Sequence, residues 1–142
     1  MSVREATLTA LSAPLGAAPP ARNPAPKLLR NETVPQRLPP GGLVVLRDGE
    51  TVEETPILSP LAWQIEHRTM VEVVAGSTAL LDALLVDIGA AIAADRTLGG
   101  AVEWAQPGAP AFDDVETEGA AASRAAAIPV TLIFTVAGSP LA

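Results

Sequence analysis

The feature that most constrains this chain is the alternation of apolar and polar residues over residues 61–75. Every second residue from Leu61 to Val73 falls on one face, which is apolar apart from His67 and Thr69. Because side chains alternate across a strand, the pattern predicts a long strand with one buried face and one mainly solvated face. Such a strand needs a sheet around it and a second layer over its apolar face.

The segment that follows has the spacing of a helix, predicted over residues 78–96. Ser77 or Thr78 is suited to cap its first turn, and Gly99 and Gly100 allow a left-handed exit. Its aliphatic residues recur at helical intervals and form a wide stripe, comprising Leu80, Leu81, Leu84, Leu85, Ile88 and Ile92. This helix is the predicted covering layer.

Three further strands are predicted, at 43–47, 101–105 and 128–137. The first pairs most simply with 61–75 as an antiparallel neighbour. Between them, Asp48-Gly49 is a turn signal, so residues 48–56 form either a tight hairpin or a longer loop. The poor alternation after Gly49 favours the loop.

The N-terminal third is rich in proline. A short helix is predicted over 3–12 and ends at Pro14 and Gly16, and eight of the fourteen prolines lie within residues 14–42. Because proline lacks an amide donor and restricts the residue before it, this stretch predicts an extended arm that packs on something else. A disordered linker is the alternative interpretation.

These elements predict an α+β fold, in which a mixed or antiparallel sheet packs on one main helix. A short N-terminal helix and an extended Pro-rich arm complete it. The 142 residues suit one domain over 1–142. Within it we expect a helix at 1–13, an arm at 14–42 and an α+β body at 43–142.

Composition argues against most kinds of site chemistry. The chain has no cysteine, one histidine and 3% aromatic residues, and it lacks the glycine-rich motifs that hold phosphate. His67 lies on the apolar strand face, which predicts a packed, hydrogen-bonded histidine rather than a general base. The acidic run at 113–118 lacks the spacing of a calcium loop. We therefore expect no catalytic residue, cofactor or metal, and a role other than that of an enzyme.

Charge is divided unevenly along the chain. Residues 1–47 carry a net charge of +4 and residues 48–142 a net charge of −11, which gives −7 in total. A basic front and an acidic remainder suit a chain that pairs with copies of itself. The longest apolar stretch, 79–94, contains Asp82 and Asp87, so it predicts a buried helix rather than a membrane span. The protein is expected to be soluble and intracellular, with no membrane partner.

Several segments together carry a resemblance to a known family. They are Arg22-Asn23-Pro24, the run from Leu38-Pro39-Pro40-Gly41-Gly42 through Leu43-Val44-Val45-Leu46-Arg47 to Asp48-Gly49, Leu58-Ser59-Pro60-Leu61, Gln64-Ile65-Glu66-His67, and Ala93-Ala94-Asp95-Arg96-Thr97-Leu98-Gly99-Gly100. Over about residues 20–137 the chain resembles the tail terminator (head–tail joining) proteins of long-tailed bacteriophages and phage-derived gene transfer agents.

The resemblance implies a virion structural protein, made in the bacterial cytoplasm and located at the head–tail joint of the particle. It implies a ring, usually hexameric, that caps the tail tube protein, stops its polymerisation and meets a head-side connector. DNA then passes through the lumen without specific binding. The alternatives are another tail or neck subunit, such as a tube protein or a head-completion adaptor, and a small α+β enzyme or ligand-binding module.

A head-to-tail ring needs two different complementary surfaces on each subunit. The basic arm and the acidic segments are the candidates for them. The candidate interface residues are Arg22, Lys27, Arg30, Arg37, Arg47, Glu53, Glu54, Asp113, Asp114, Glu116 and Glu118.

Overall fold

The structure is a computed structural model that describes residues 1–17, 24–34, 37–115 and 123–142. Of these residues, 46% are in strands and 25% in helices. Two helices and six strands are described in the chain order α1 (Val3–Ala17), β1 (Lys27–Arg30), β2 (Leu43–Leu58), β3 (Leu61–Ala75), α2 (Thr78–Ala94), β4 (Trp104–Pro107), β5 (Ala111–Val115) and β6 (Ser123–Ala137).

The described strands form one mixed sheet in the order β1-β2-β3-β6-β4, and β5 also pairs with β6. β1 runs parallel to β2, whereas the other pairs are antiparallel. β5 pairs with the first part of β6 and β4 with a later part, so these two short strands share one edge of the sheet. β1 and the second half of β2 form the opposite edge.

Both helices cover the same face of the sheet. The core between the layers includes Leu8, Leu11 and Leu15 of α1 and Leu81, Leu84, Ile88 and Ile92 of α2, all buried against alternate residues of β2, β3 and β6. Each such side chain contributes about 1.5–3 kcal/mol on burial. On the other face a smaller cluster of Leu43, Val45 and Val74 is covered by Leu29, Val34 and Leu38.

The predicted fold class, with one main helix carrying the sheet, is wrong. The described part is mostly β, and α1 is almost as long as α2, with 15 and 17 residues. The N-terminal helix is not short, because it continues past Pro14 to Ala17. Leu15 explains this extension: it belongs to the buried stripe of α1 and is only 1% exposed, so packing holds the last turn in place despite the proline. In the described part of the predicted arm, β1 is extended backbone that pairs with β2, so this part of the arm packs on the chain's own sheet.

The loop favoured over residues 48–56 is also wrong, because β2 continues through this segment to Leu58. The register of β2 against β3 shifts between Arg47 and Glu50, which marks a β-bulge at Asp48-Gly49. Gly49 has a φ of 70°, and a Cβ there would lie 1.9 Å from the Arg68 carbonyl oxygen. Every residue from Gly49 to Leu58 is exposed, so no buried face imposes an apolar–polar alternation on this part of the strand.

The predictions for the strand at 61–75 and for the start of α2 are confirmed. β3 occupies residues 61–75 with its odd-numbered residues buried from Ile65 onwards, and it pairs antiparallel with 43–47. α2 begins after Ser77, whose Oγ accepts a hydrogen bond from the Leu80 amide at 3.2 Å. None of the described helices is long and apolar enough to cross a membrane.

The last strand begins earlier than predicted, at Ser123, and Pro129 lies inside it. The pairing of β5 with β6 ends at Ala127, and that of β4 begins at Val130. Pro129 therefore occupies the gap between the two neighbours, where this edge of β6 needs no ladder donor.

Candidate assembly interface

A continuous row of paired residues runs across the sheet from one edge to the other. Leu28 of β1 is opposite Val44, Val44 is opposite Val73, Val73 is opposite Ala126, and Ala126 is opposite Phe112 of β5. Leu28 and Phe112 are thus the two ends of one row across five strands. β1 and β5 lie at opposite edges of the same half of the sheet.

The two edge strands of this half of the sheet, β1 and β5, differ in charge. On β1, Lys27 is exposed, and Arg37 is exposed in the segment that follows. On β5, Asp113 is exposed beside Phe112, whose side chain is 67% exposed, and the backbone of Asp114 belongs to the same strand. The basic and acidic candidate residues therefore lie, in part, at opposite ends of the row.

Arg30, unlike the exposed Lys27 on the same strand, directs its guanidinium towards two carboxylates of its own subunit. Its Nη1 and Nη2 donate to the two carboxylate oxygens of Glu5 on α1, at 2.5 and 2.8 Å, and its Nε donates to Asp48 at 2.9 Å. The side chain of Asn31 accepts from the Asp48 amide at 3.0 Å. Arg30 thereby joins α1, β1 and the bulge of β2.

These contacts alter the ionisation of both acids. The hydrogen bond from Arg30 lowers the pKa of Glu5 below its usual value. For Asp48, desolvation opposes ionisation, but the hydrogen bonds from Arg30 and Asn31 outweigh it and leave the pKa lowered. The same two carboxylates raise the pKa of Arg30 further. All three groups are therefore charged at neutral pH.

Arg47, the next candidate, also has an internal partner. Its Nη2 lies 3.1 Å from an oxygen of Glu72 on β3, on the sheet face opposite the helices. Both side chains are about one third exposed, at 32% and 34%. A partly exposed cross-strand pair of this kind contributes about 0.2–1 kcal/mol.

Glu53 and Glu54 lie on the second half of β2, where every residue from Gly49 to Leu58 is exposed. Glu53 is directly opposite Glu66 of β3, so two like charges face each other across the hairpin. Glu54 is opposite Ile65 and therefore lies on the other face of the sheet. In the part of the chain that the structure describes, β1 pairs with β2 only along Leu43–Leu46, so the edge next to these glutamates has no neighbouring strand.

The end of the β2–β3 hairpin is apolar and uncharged, a feature that the sequence analysis missed. Ile57, Leu58 and Leu61 are 42%, 81% and 49% exposed around the Ser59-Pro60 turn. Residues 55–63 contain no charged side chain, but the sequence has longer uncharged stretches such as 125–142, so this absence alone does not mark the tip. We call Ile57–Leu61 the hairpin tip.

His67 is buried, with 3% exposure, as its place on the apolar face predicted. Its Nε2 lies 2.5 Å from the carbonyl oxygen of Asp48, and its Nδ1 lies 3.3 Å from the Thr51 hydroxyl. Because a carbonyl oxygen only accepts, Nε2 carries the proton in this arrangement. The prediction of a packed, hydrogen-bonded histidine is confirmed, and the absence of a catalytic role stays a prediction.

Three candidate residues, Arg22, Glu116 and Glu118, lie outside the described residues. Among the residues that are described, no group of three His, Cys, Asp or Glu side chains is arranged to hold a metal ion. A scan of protein-family models finds no match to the chain, and a search of curated proteins finds no significant relative.

Proposed function

We propose that this protein is a ring-forming structural subunit of a phage-like particle, which caps the tail tube as a tail terminator. The observation that carries the proposal is the row from Leu28 to Phe112, which has β1 with the exposed Lys27 at one end and β5 with the exposed Asp113 at the other. Two different surfaces of opposite charge on one subunit suit a closed head-to-tail contact.

Both edges also expose apolar side chains that no part of the described subunit covers. On the β4–β5 edge, Trp104 is 46% exposed and Phe112 is 67% exposed. On the other edge, Val52 and the hairpin tip are exposed along β2. Exposed aromatic side chains and free strand edges are typical of surfaces that bind another protein chain.

The sheet face opposite the helices suits the wall of a DNA channel. The half of this face that lies towards the hairpin tip carries four acidic residues, Glu50, Glu53, Glu66 and Glu103. Among the described residues it carries a single arginine, Arg68. Gln64 and Thr135 hydrogen-bond the two oxygens of Glu103, at 3.1 and 2.7 Å, and hold its carboxylate on this face. An acidic wall repels phosphate, so DNA would slide past it without binding.

Light scattering after size exclusion, with electron microscopy of the same fractions, tests ring formation on the purified full-length chain. We expect closed rings of one defined mass, either alone or after addition of the tail tube protein from the same gene cluster. A chain that stays monomeric under both conditions contradicts the proposal.

Deletion of the gene from the bacterium or prophage that carries it tests the position in the particle. A terminator predicts tails of uncontrolled length that are not joined to heads. A tube protein predicts particles without tails, and a head-completion adaptor predicts heads that lose DNA. Either of these last two results rejects the terminator and selects another virion subunit.

A further inference from the structure

An apolar groove lies between the two helices on the outer surface of the helical layer. It has a volume of about 320 Å³, and its lining includes Ala13 and Pro14 of α1, Ala91 of α2, and Leu98 beyond α2. Because the alanine side chains are small, the two helices leave room between them for larger apolar side chains from elsewhere.

Asp95 is the one acidic residue in the lining, and its carboxylate is occupied within the subunit. One oxygen accepts from the amide and the hydroxyl of Thr97, at 3.0 and 2.7 Å, and the other accepts from the Gly99 amide at 2.7 Å. The carboxylate thus closes the turn after α2, and the groove offers an apolar surface to a partner.

The hairpin tip has the complementary character. Leu58 is 81% exposed, so it does not occupy the groove of its own subunit. The uncharged stretch 55–63 matters because each copy carries a net charge of −7, and two copies repel each other wherever their charged surfaces meet. The tip and the groove are two surfaces on which close contact between copies brings no like charges together.

We propose that the hairpin tip of one subunit inserts Leu58 into the α1–α2 groove of a second copy of this chain. This inference rests on the proposed ring, for which it names the contact. The groove and the tip are different surfaces, so the contact is head-to-tail and repeats from copy to copy.

The position of the groove determines how two copies must be offset for this contact. Leu98 and Gly99 lie in the turn that leads from α2 to β4, and β4 lies at the sheet edge opposite β2. Through the strand pairings β4 is level with residues 50–53 of β2, so a neighbour that presents its β4–β5 edge to this β2 edge brings the groove to Leu58 when it is displaced along the strands towards the hairpin tip.

Cross-linking tests the contact directly, because the native chain has no cysteine. Leu58→Cys in one full-length chain is mixed with Ala13→Cys in a second chain that carries a mass tag, and the mixture is mildly oxidised. We expect a disulfide between the two variants. The matched control replaces Ala13→Cys with Val86→Cys, which is on α2 but outside the groove lining and 63% exposed, and it should give no such product.

The outcomes separate the contact from the ring. Rings without the 58–13 cross-link overturn the tip-and-groove contact and leave the proposed function in place. The cross-link in open chains without closed rings supports the contact and contradicts the ring. Monomers without the cross-link overturn both, and rings with the cross-link support both.

A second variant removes the contact without adding a charge. Leu58→Ser should weaken self-association by roughly ten- to a hundredfold, since it deletes one apolar side chain from the interface. Val86→Ser is the control and should leave self-association unchanged. Both positions are well exposed, so circular dichroism should match the wild type in each case. Equal effects of the two variants overturn the inference, as does capture of the tip by a different protein of the particle.

Discussion

Arg30 donates hydrogen bonds from both terminal nitrogens of its guanidinium to the Glu5 carboxylate. These bonds connect the first turn of α1 to the edge strand β1. The two residues are 25 positions apart in the chain, and most of α1 lies between them. The same guanidinium reaches Asp48 in the bulge of β2. A residue predicted to bind a neighbouring subunit is thus found holding its own subunit together, and its place in the ring interface stays a prediction.

Arg30→Gln should lower the free energy of unfolding by about 1 kcal/mol, since it removes one partly exposed cation that serves two acids. Urea unfolding followed by circular dichroism measures the change. Lys27→Gln is the matched control, on the same strand and exposed, and should have little effect. Equal losses for the two variants would show that the pairing with Glu5 and Asp48 does not stabilise the fold.

The same cluster predicts a pH dependence of stability. The pKa values of Glu5 and Asp48 lie below their ordinary values of 4.5 and 3.8. Between the lowered and the ordinary values, the unfolded chain therefore binds more protons than the folded chain. The stabilisation is therefore complete above about pH 5 and is lost as the pH falls through the lowered values. Thermal melts between pH 3 and pH 7 should show a shallower decline for Arg30→Gln than for the wild type. Parallel curves would contradict this explanation.

Leu84→Asp should unfold the protein or cost several kcal/mol, because it buries an unpaired carboxylate at a position that is 1% exposed. A loss of that size is comparable with the whole stability of a small domain. Val86→Asp, on the same helix at 63% exposure, should be tolerated. Circular dichroism and solubility measure both variants, and a folded Leu84→Asp protein would refute the packing of α2 on the sheet.

Gly49→Ala should be more damaging than Gly99→Ala, although both glycines have a positive φ, at 70° and 73°. The left-handed conformation alone costs an alanine roughly 1–2 kcal/mol. At Gly49 the new Cβ also meets the Arg68 carbonyl oxygen, whereas nothing lies within 4 Å of it at Gly99. Urea unfolding should give a clearly larger loss at Gly49. Equal losses would argue against the close strand approach at the bulge.

A charge exchange tests the two edges of the sheet. Lys27→Glu should weaken self-association several-fold at low salt, because it places like charges at every contact between a β1 edge and a β5 edge. Adding Asp113→Lys to the same chain should restore it, since the edges are then complementary in the reverse sense. Sedimentation at two salt concentrations measures both variants. Failure of the second change to restore association would place the contact elsewhere.

Two local elements, β3 and α2, follow from short-range patterns, and the sequence predicts both of them. The alternation over β3 and the leucine stripe of α2 each reflect one buried face, which any partner layer would satisfy. The burial of His67 follows for the same reason. The sequence offers Ser77 or Thr78 as the cap of α2, and the structure has Ser77 in this position. Arg30, by contrast, looks like any other cation of a basic arm, because Glu5 comes close to it only in the folded chain.

What the tertiary structure decided is how far each element extends and what remains uncovered. Packing of Leu15 carries α1 past Pro14, and pairing with β3 carries β2 through a bulge to Leu58. Backbone pairing depends on a neighbouring strand rather than on the strand's own pattern, so no local rule reveals the projecting hairpin. The opposition of β1 and β5 arises in the same way: Leu28 and Phe112 become the ends of one row only when four strand pairings bring them into line.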